Sequence, residues 1–365
     1  MPAISIVTEL SERIPRKAWH RGLWQRLRRL VATLESIDID ALGAQIAKFE
    51  ASQRRIQETQ AAVVDYLRTH TAVPFTAPLI SALEFATGDR FELENRCRVL
   101  TNPVYLGDNT ALCRMLGGYK IYLDTRDTGF GSHVLLEGYW ETWLTIFFAR
   151  QIKPGMTVID VGANFGYYTL FFGALVGSQG HVYAVEPNPA VAEKLRRSVE
   201  LNGLTGRTTI IDAAAGAEAG NANLYVPHGE PKNSMIVGST EGIGSEHGTV
   251  HTVRRVKLDE LAATISRVDL VKIDAEGAEE DIVAGMESLL RRDKPTLLLE
   301  FNAGRYLDPA GFVERLGALY PRMRHIDFEG NAVDLTTAHL LSDKSGEDWL
   351  LLFDEPQPRS ATSAA

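Results

Sequence analysis

Five carboxylates stand where apolar runs of this 365-residue chain end: Asp160, Glu186, Asp212, Asp274 and Glu300. Ligands of open α/β sheets bind outside the carboxyl ends of the strands, so these residues form a candidate site. Such a rim suits a cationic ligand, because a sulfonium gains Coulomb attraction there whereas a pyrophosphate is repelled. Taken singly, each acid could instead cap a helix or start a turn. The fourth run, Val268 to Asp274, carries Lys272 within an apolar strand expected to be covered on both faces, where an unpaired ammonium is costly. A period of two sets Lys272 and Asp274 on one face, roughly 7 Å apart at about 3.3 Å of rise per residue. Asp274 or Glu276 could pair with Lys272, or depress its pKa until it serves as a base. Lys272, Asp274, Glu276 and Glu300 are therefore the candidate catalytic residues. Glu279, Glu280 and Asp281 open the next helix, where negative charge complements the dipole, and they read as structural.

The residues Asp160-Val-Gly-Ala-Asn-Phe-Gly166 join an apolar strand to a helical stretch through a glycine turn. Gly162, Ala163, Asn164 and Gly166 are candidates to hold a nucleotide-like cofactor, since glycine lets backbone N–H groups approach a ligand. The dinucleotide pattern G-x-G-x-x-G counted from Gly162 needs glycine at positions where this chain has Asn164 and Tyr167. That lowers the case for NAD. Glu186 lies about twenty residues on, the spacing at which an acid meets a ribose diol. A ribose without a pyrophosphate suggests S-adenosylmethionine. Alternatively, the turn merely connects strand to helix and Glu186 caps the helix that follows Pro187.

The elements that must position these groups alternate from Met156 onward. Strands are expected near 156–161, 180–186, 207–213, 268–274 and 295–301, with helices at 165–176, 189–202 and 278–291. Arg322 to Phe328 and Trp349 to Phe353 read as two last strands joined without a long helix, giving the sheet an antiparallel end. The alternation predicts an open, mostly parallel sheet with helices on both sides over 153–355. Between its third and fourth strands lies an insertion, 216–256, with short strands around Leu224 and Val253, whose glycines at 238, 242, 244 and 248 suggest a mobile lid over an acceptor. Ahead of the sheet, 71–152 holds a hairpin signal, Gly117-Gly118 between Thr110 to Leu116 and Tyr119 to Asp124. An aromatic helix then runs from His133 to Ile152, with Trp140, Trp143, Phe147 and Phe148 against the sheet. On it Glu137 and Glu141 share a face that looks into the cofactor pocket or into solvent.

Residues 1–70 read as a separate helical appendage. Leu42, Ile46, Phe49, Gln53, Ile56, Gln60, Val63 and Leu67 recur at steps of four and three, the seam of a coiled coil or helical hairpin, and suggest a homodimer. Arg16 to Leu34 mixes Arg21, Arg26, Arg28 and Arg29 with Trp19, Leu23, Trp24, Leu27 and Leu30. That pattern fits peripheral contact with a membrane surface or a partner, or a helix packed on its neighbour with solvated arginines. Thr69 to Pro78 reads as a linker, and 356–365 as a disordered tail. With 45% of residues hydrophobic a large core is within reach, and a formal net charge of −9 argues against nucleic acid as partner. Cys97 and Cys113, without metal-ligand spacing, fit a reducing cytoplasm and no metal site. No run of eighteen apolar residues marks a transmembrane segment.

Four strings, Val158-Ile-Asp-Val-Gly-Ala-Asn-Phe-Gly-Tyr-Tyr-Thr-Leu170, Val185-Glu-Pro-Asn-Pro189, Leu270-Val-Lys-Ile-Asp-Ala-Glu-Gly-Ala-Glu279 and Pro295-Thr-Leu-Leu-Leu-Glu300, resemble the FkbM family of S-adenosylmethionine-dependent methyltransferases. Gly138-Tyr-Trp-Glu141 resembles the same family. The resemblance covers segments from about Tyr105 to Phe353. It implies a class I methyltransferase fold, a Rossmann-like sheet of seven strands with an antiparallel last strand, and O-methylation of a hydroxyl on a sugar, polysaccharide or secondary metabolite. It also implies that Asp160, Gly162 and Asn164 surround the methionine part of the cofactor, Glu186 the ribose and Asp212 the adenine side, with Glu141 and Asp274 nearby. Methyl transfer is an in-line displacement, in which holding an acceptor oxygen close and removing its proton supply the catalysis. Competing readings are an NAD-dependent sugar oxidoreductase and a non-catalytic scaffold of the same fold.

Overall fold

A computed structural model describes residues 47–48, 50–52, 54, 79–229, 233–238, 247–342, 346 and 348–355. The chain divides into two compact units, Met1–Thr76 and Ala77–Ala365. In the first, the described residues between 47 and 54 are helical, inside the predicted seam. The basic helix, the remainder of the seam, the linker and the tail from 356 lie outside the described residues.

The second unit opens with α1 (Glu84–Thr87) and α2 (Arg90–Leu100), then an antiparallel sheet of β1 (Val104–Gly107), β2 (Thr110–Met115) and β3 (Tyr119–Asp124). β2 and β3 form the hairpin that Gly117-Gly118 predicts, Leu116 and Gly117 turning the chain at φ 47° and 63°. The aromatic stretch forms two helices instead of one, α3 (Phe130–Glu137) and α4 (Thr142–Gln151). Gly138 ends α3 at φ 74°, and a Cβ there would sit 2.8 Å from the Cys97 carbonyl oxygen. The break separates the two acids expected to share a face. Glu137 pairs with Arg98 at the surface, whereas Glu141, at φ 39°, faces the cleft described below.

The main sheet is built from β4 (Thr157–Val161), α5 (Tyr167–Leu175), β5 (His181–Val185), α6 (Pro189–Leu201) and β6 (Thr208–Ile211). After an excursion through β7 (Ala214–Ala215), β8 (Gly220–Pro227), β9 (Met235–Val237) and β10 (Gly248–Val256) come α7 (Leu258–Ala262), β11 (Leu270–Ile273), α8 (Glu279–Ala284), α9 (Glu287–Asp293) and β12 (Thr296–Phe301). The unit closes with α10 (Pro309–Leu319), β13 (Met323–Ile326), β14 (Ala332–Asp334), α11 (Thr337–Ser342) and β15 (Trp349–Phe353). The strand order is β14-β13-β15-β12-β11-β4-β5-β6, with β15 antiparallel to both its neighbours β12 and β13. This is the expected mostly parallel sheet reversed by its last strand, extended by the short edge strand β14.

Period two in the central strands sorts the core into two layers. Val158, Leu270, Leu298 and Leu352 join α5 and α6 on one face, and Ile159, Val271, Leu297, Leu299 and Leu351 join α8 to α10 on the other. The strands expected around Leu224 and Val253 in the insertion are β8 and β10. β7, β10, β8 and β9 form a second sheet, with β8 and β10 paired without interruption from Gly220↔Arg255 to Pro227↔Gly248. Its glycines 242 and 244 lie outside the described residues.

At the sheet's centre Gly162 takes φ 73°, and a Cβ on it would lie 1.8 Å from the carbonyl oxygen of Asp274. The glycine is thus demanded by the close approach of the loops leaving β4 and β11. Gly162→Ala should destabilise the fold by about 3 kcal/mol or more, lowering Tm by roughly 6 °C in thermal unfolding without ligand. An unchanged Tm would show that the loops are not apposed in this way.

Candidate active site

The ends of β4, β5, β11 and β12 open into one cleft of about 1100 Å³, counted with its mouth. Its lining includes Glu141, Gly162, Ala163, Asn164, Glu186, Lys272, Asp274, Glu276 and Glu300, all singled out in the sequence. Three other candidates are placed elsewhere, each for a local reason. Asp160 is wholly buried beneath the cleft floor, its Oδ2 accepting from Thr169 Oγ1 at 2.6 Å. Gly166 starts α5 at φ 100° against the Leu195 side chain. Asp212 is half exposed and accepts two bonds from Arg196 Nη2, at 3.0 and 2.7 Å. Beyond Asp212 the chain turns at once into β7, so that Ala214 and Ala215 reach the cleft in its place.

The glycine turn spends its N–H groups internally. Gly162 and Ala163 both donate to the Val185 carbonyl at 3.0 and 3.1 Å, Gly166 to Ala163 O, and Phe165 to Asn164 Oδ1. Asn164 N donates to Glu186 Oε2 at 2.9 Å, and Asn188 N to Oε1 at 2.8 Å. The turn therefore has no free backbone donors for a pyrophosphate and offers instead a carboxylate fixed at both oxygens, each keeping acceptor capacity for a ribose hydroxyl. Burial pushes Glu186 up to about 7, against the two N–H bonds that favour its ionised form. Beside it Val185, Ala214, Ala215, Leu224, Ile236 and Ile282 make an apolar slot of a kind that takes an aromatic base. Leu224, Ile236 and Ser234 belong to the insertion, and Asn188 Nδ2 bonds Ser234 Oγ at 3.4 Å.

At the other end of the cleft Lys272 forms a buried cluster. β4 and β11 pair Lys272 with Asp160 across the strands, which brings Nζ to 3.6 Å from Asp160 Oδ1 and 3.4 Å from Asp274 Oδ2. The ammonium also lies 5.2 Å from the centre of the Tyr168 ring, and Tyr168 donates its hydroxyl proton to Glu141 Oε2 at 2.8 Å. Burial acts to lower the Lys272 pKa, but the charges of Asp274, Asp160 and Glu141 together raise it above its ordinary value. Of the two roles the sequence left open, the ion pair is the one built. The charges around Lys272 favour its protonated form.

Residues that the sequence did not signal complete the site. Tyr168 fills the floor, and Phe130 and Trp140 wall the cleft edge to face, with ring centroids 5.4 Å apart. Arg305, in the turn after β12, reaches Glu300 at 2.6 Å, Asp348 at 3.2 Å and Glu276 at 3.5 Å. Glu279, buried and accepting from Ala275 N, Gly277 N and Tyr306 Oη, fixes the turn that carries Glu276 at φ 51°. Burial, then the charges of Asp274 and Asp348, raise Glu300 to about 8, while Arg305 opposes them. Among the described residues, no group of three or more His, Cys, Asp or Glu is arranged to hold a metal.

The sheet order, with its reversed last strand, and a carboxylate-lined cleft at the strand ends define a class I methyltransferase fold. Residues 160–329 match the model of the methyltransferase FkbM domain, the family that the sequence strings resemble. Among curated proteins it is 33% identical over 94 residues to a protein-L-isoaspartate O-methyltransferase of Hyperthermus butylicus, covering 24% of this chain and 36% of that one. It is 25% identical over 156 residues to methyltransferase sdnD of Sordaria araneosa, covering 36% and 60%. The chain thus spans less than two thirds of the length of these relatives. A crystal structure of a methyltransferase FkbM from Methylobacillus flagellatus aligns with TM-score 0.36 at 13% identity, over 58% of this chain and 53% of that one.

Lys272 neutralises a carboxylate that has no access to water. Lys272→Met should therefore destabilise the protein by about 3–5 kcal/mol in urea unfolding, and adding Asp160→Asn should recover most of the loss. If the double variant is no more stable than the single one, the pairing does not carry this energy.

Proposed function

We propose that the chain is an S-adenosylmethionine-dependent O-methyltransferase, acting on a hydroxyl of a sugar, polysaccharide or secondary metabolite. The observation that carries the reading is the cleft's division of labour. An apolar slot lies beside a ribose-spaced carboxylate with no phosphate-binding donors, and an excess of acid lies at the far end. When bound, the cofactor supplies a methyl group already activated by its sulfonium. Glu186 would hold the ribose, Ala214, Ala215, Leu224 and Ile236 the base, and Asn164, Glu141 and Asp274 the methionine end. Since Leu224, Ser234 and Ile236 line the slot, the insertion is better placed over the nucleoside than over the acceptor. The acceptor's side is then the Glu141, Phe130 and Trp140 wall and the carboxylates of β11 and β12. A sugar hydroxyl is a poor acid, and a carboxylate at hydrogen-bond reach supplies the proton acceptor that such an oxygen needs.

Isothermal titration is expected to show binding of S-adenosylhomocysteine and none of NAD, and the opposite result would reject the reading. The pH dependence has a defined sign. Glu186 is raised from 4.5 to about 7 by folding, so it makes the ligand-free protein less stable as pH rises through that window. A ribose diol donates to the ionised form. Binding should therefore tighten between pH 6 and 8 and release protons, and Glu186→Gln should flatten that slope while weakening affinity about 10-fold or more.

A further inference from the structure

The carboxylates at the acceptor end are not equivalent in their bonding. Asp274 is committed through its Oδ2 to the buried Lys272 ammonium at 3.4 Å. Glu276 stands on a left-handed turn and makes a longer contact to Arg305, 3.5 Å. Glu300 ends the central strand β12 and lines the cleft while mostly enclosed, its side chain 18% exposed. Arg305 Nη1 donates to its Oε2 at 2.6 Å, and among the described residues no group donates to its Oε1. Asp348 holds the far side of the guanidinium and Asn302 Nδ2 donates to Asp348 Oδ1 at 2.9 Å, so Arg305 is itself fixed from the loop before β15. Gly277 takes φ 98°, and the Arg305 side chain lies beside it, 3.7 Å from where a Cβ would be, an ordinary contact distance.

We propose that Glu300 is the general base of the methyl transfer and that Arg305 is its positioning residue, anchoring Oε2 so that Oε1 is presented to the acceptor hydroxyl. The inference rests on the methyltransferase reading above. The acceptor oxygen gives its proton to Glu300 Oε1 and a lone pair to the methyl carbon, while the carbon–sulfur bonding pair returns to sulfur and leaves a neutral thioether. The groups that bear on Glu300 are Asp274 from β11, Asp348 from the loop before β15, and Arg305, which also holds Glu276. Burial and the two aspartates keep Glu300 proton-seeking near neutral pH, which suits a base for an alcohol.

The test needs no acceptor. Sinefungin carries an ammonium where the transferred methyl stands, so a carboxylate facing that methyl favours it over S-adenosylhomocysteine. Both ligands are titrated calorimetrically into the full chain and its variants, with thermal unfolding as the check on folding. Wild type should prefer sinefungin. Glu300→Gln should bind S-adenosylhomocysteine within about 3-fold of wild type and lose about 10-fold or more of the preference. Arg305→Gln should lose part of it, and Arg305→Lys should restore some. A folded Glu300→Gln with the preference intact, or with both ligands weakened alike, overturns the base assignment and leaves the methyltransferase reading standing. An Arg305→Gln with full preference overturns the positioning role. A wild type that binds neither ligand overturns the methyltransferase reading, and the inference with it.

Discussion

The ion cluster of Lys272 with Asp160 and Asp274 is the constraint on which the site depends. An ammonium in the middle of a parallel sheet is tolerable only if carboxylates from neighbouring strands meet it, and strand register delivers one of them, pairing Lys272 directly with Asp160. The cluster ties the end of β4 to the end of β11 below the cleft, while Gly162 brings the two following loops together above it. Tyr168 and Thr169 of α5 add their hydroxyls to the same network, through Glu141 and Asp160. Floor, glycine turn and first helix are thereby one hydrogen-bonded assembly.

Much of this was legible because it follows from local rules. Alternation of apolar runs gave the sheet, Gly117-Gly118 gave the hairpin, and strand-end position gave three of the nine cleft-lining candidates, Glu186, Asp274 and Glu300, a physical reason to be there. The failures share a different cause. Gly138 ends a helix because Cys97, far along the chain, occupies the space a side chain would need. Gly285 likewise parts α8 from α9, a Cβ there falling 2.0 Å from the Gly216 carbonyl oxygen. Asp212 satisfies the strand-end rule yet points out to Arg196, because the chain turns into a second sheet of which the sequence showed only two short strands in a glycine-rich stretch. Arg305 is invisible to pattern reading, since nothing in its neighbours announces that three acids from separate parts of the chain will converge on it.

The glycine turn teaches a related lesson about what glycine is for. Read from sequence, its two glycines clear the way for a ligand. In the fold they clear the way for protein, Gly162 for a backbone carbonyl and Gly166 for a leucine, and the amides that a phosphate would use are already bonded. What the loop holds rigidly and leaves with acceptor capacity is the Glu186 carboxylate.

The second sheet leaves the domain and returns to it at neighbouring points. Ala215 of β7 lies directly beside Val256 of β10 in parallel register, so the chain re-enters within about 5 Å of where it departed. Closing so small a gap asks little of the backbone, whatever the length of the excursion, and the register of the main sheet does not depend on it. The excursion is therefore exchangeable as a cassette. A shorter or longer hairpin grafted between Ala215 and Lys257 would replace the roof that Leu224 and Ile236 form and leave the buried charges beneath it untouched.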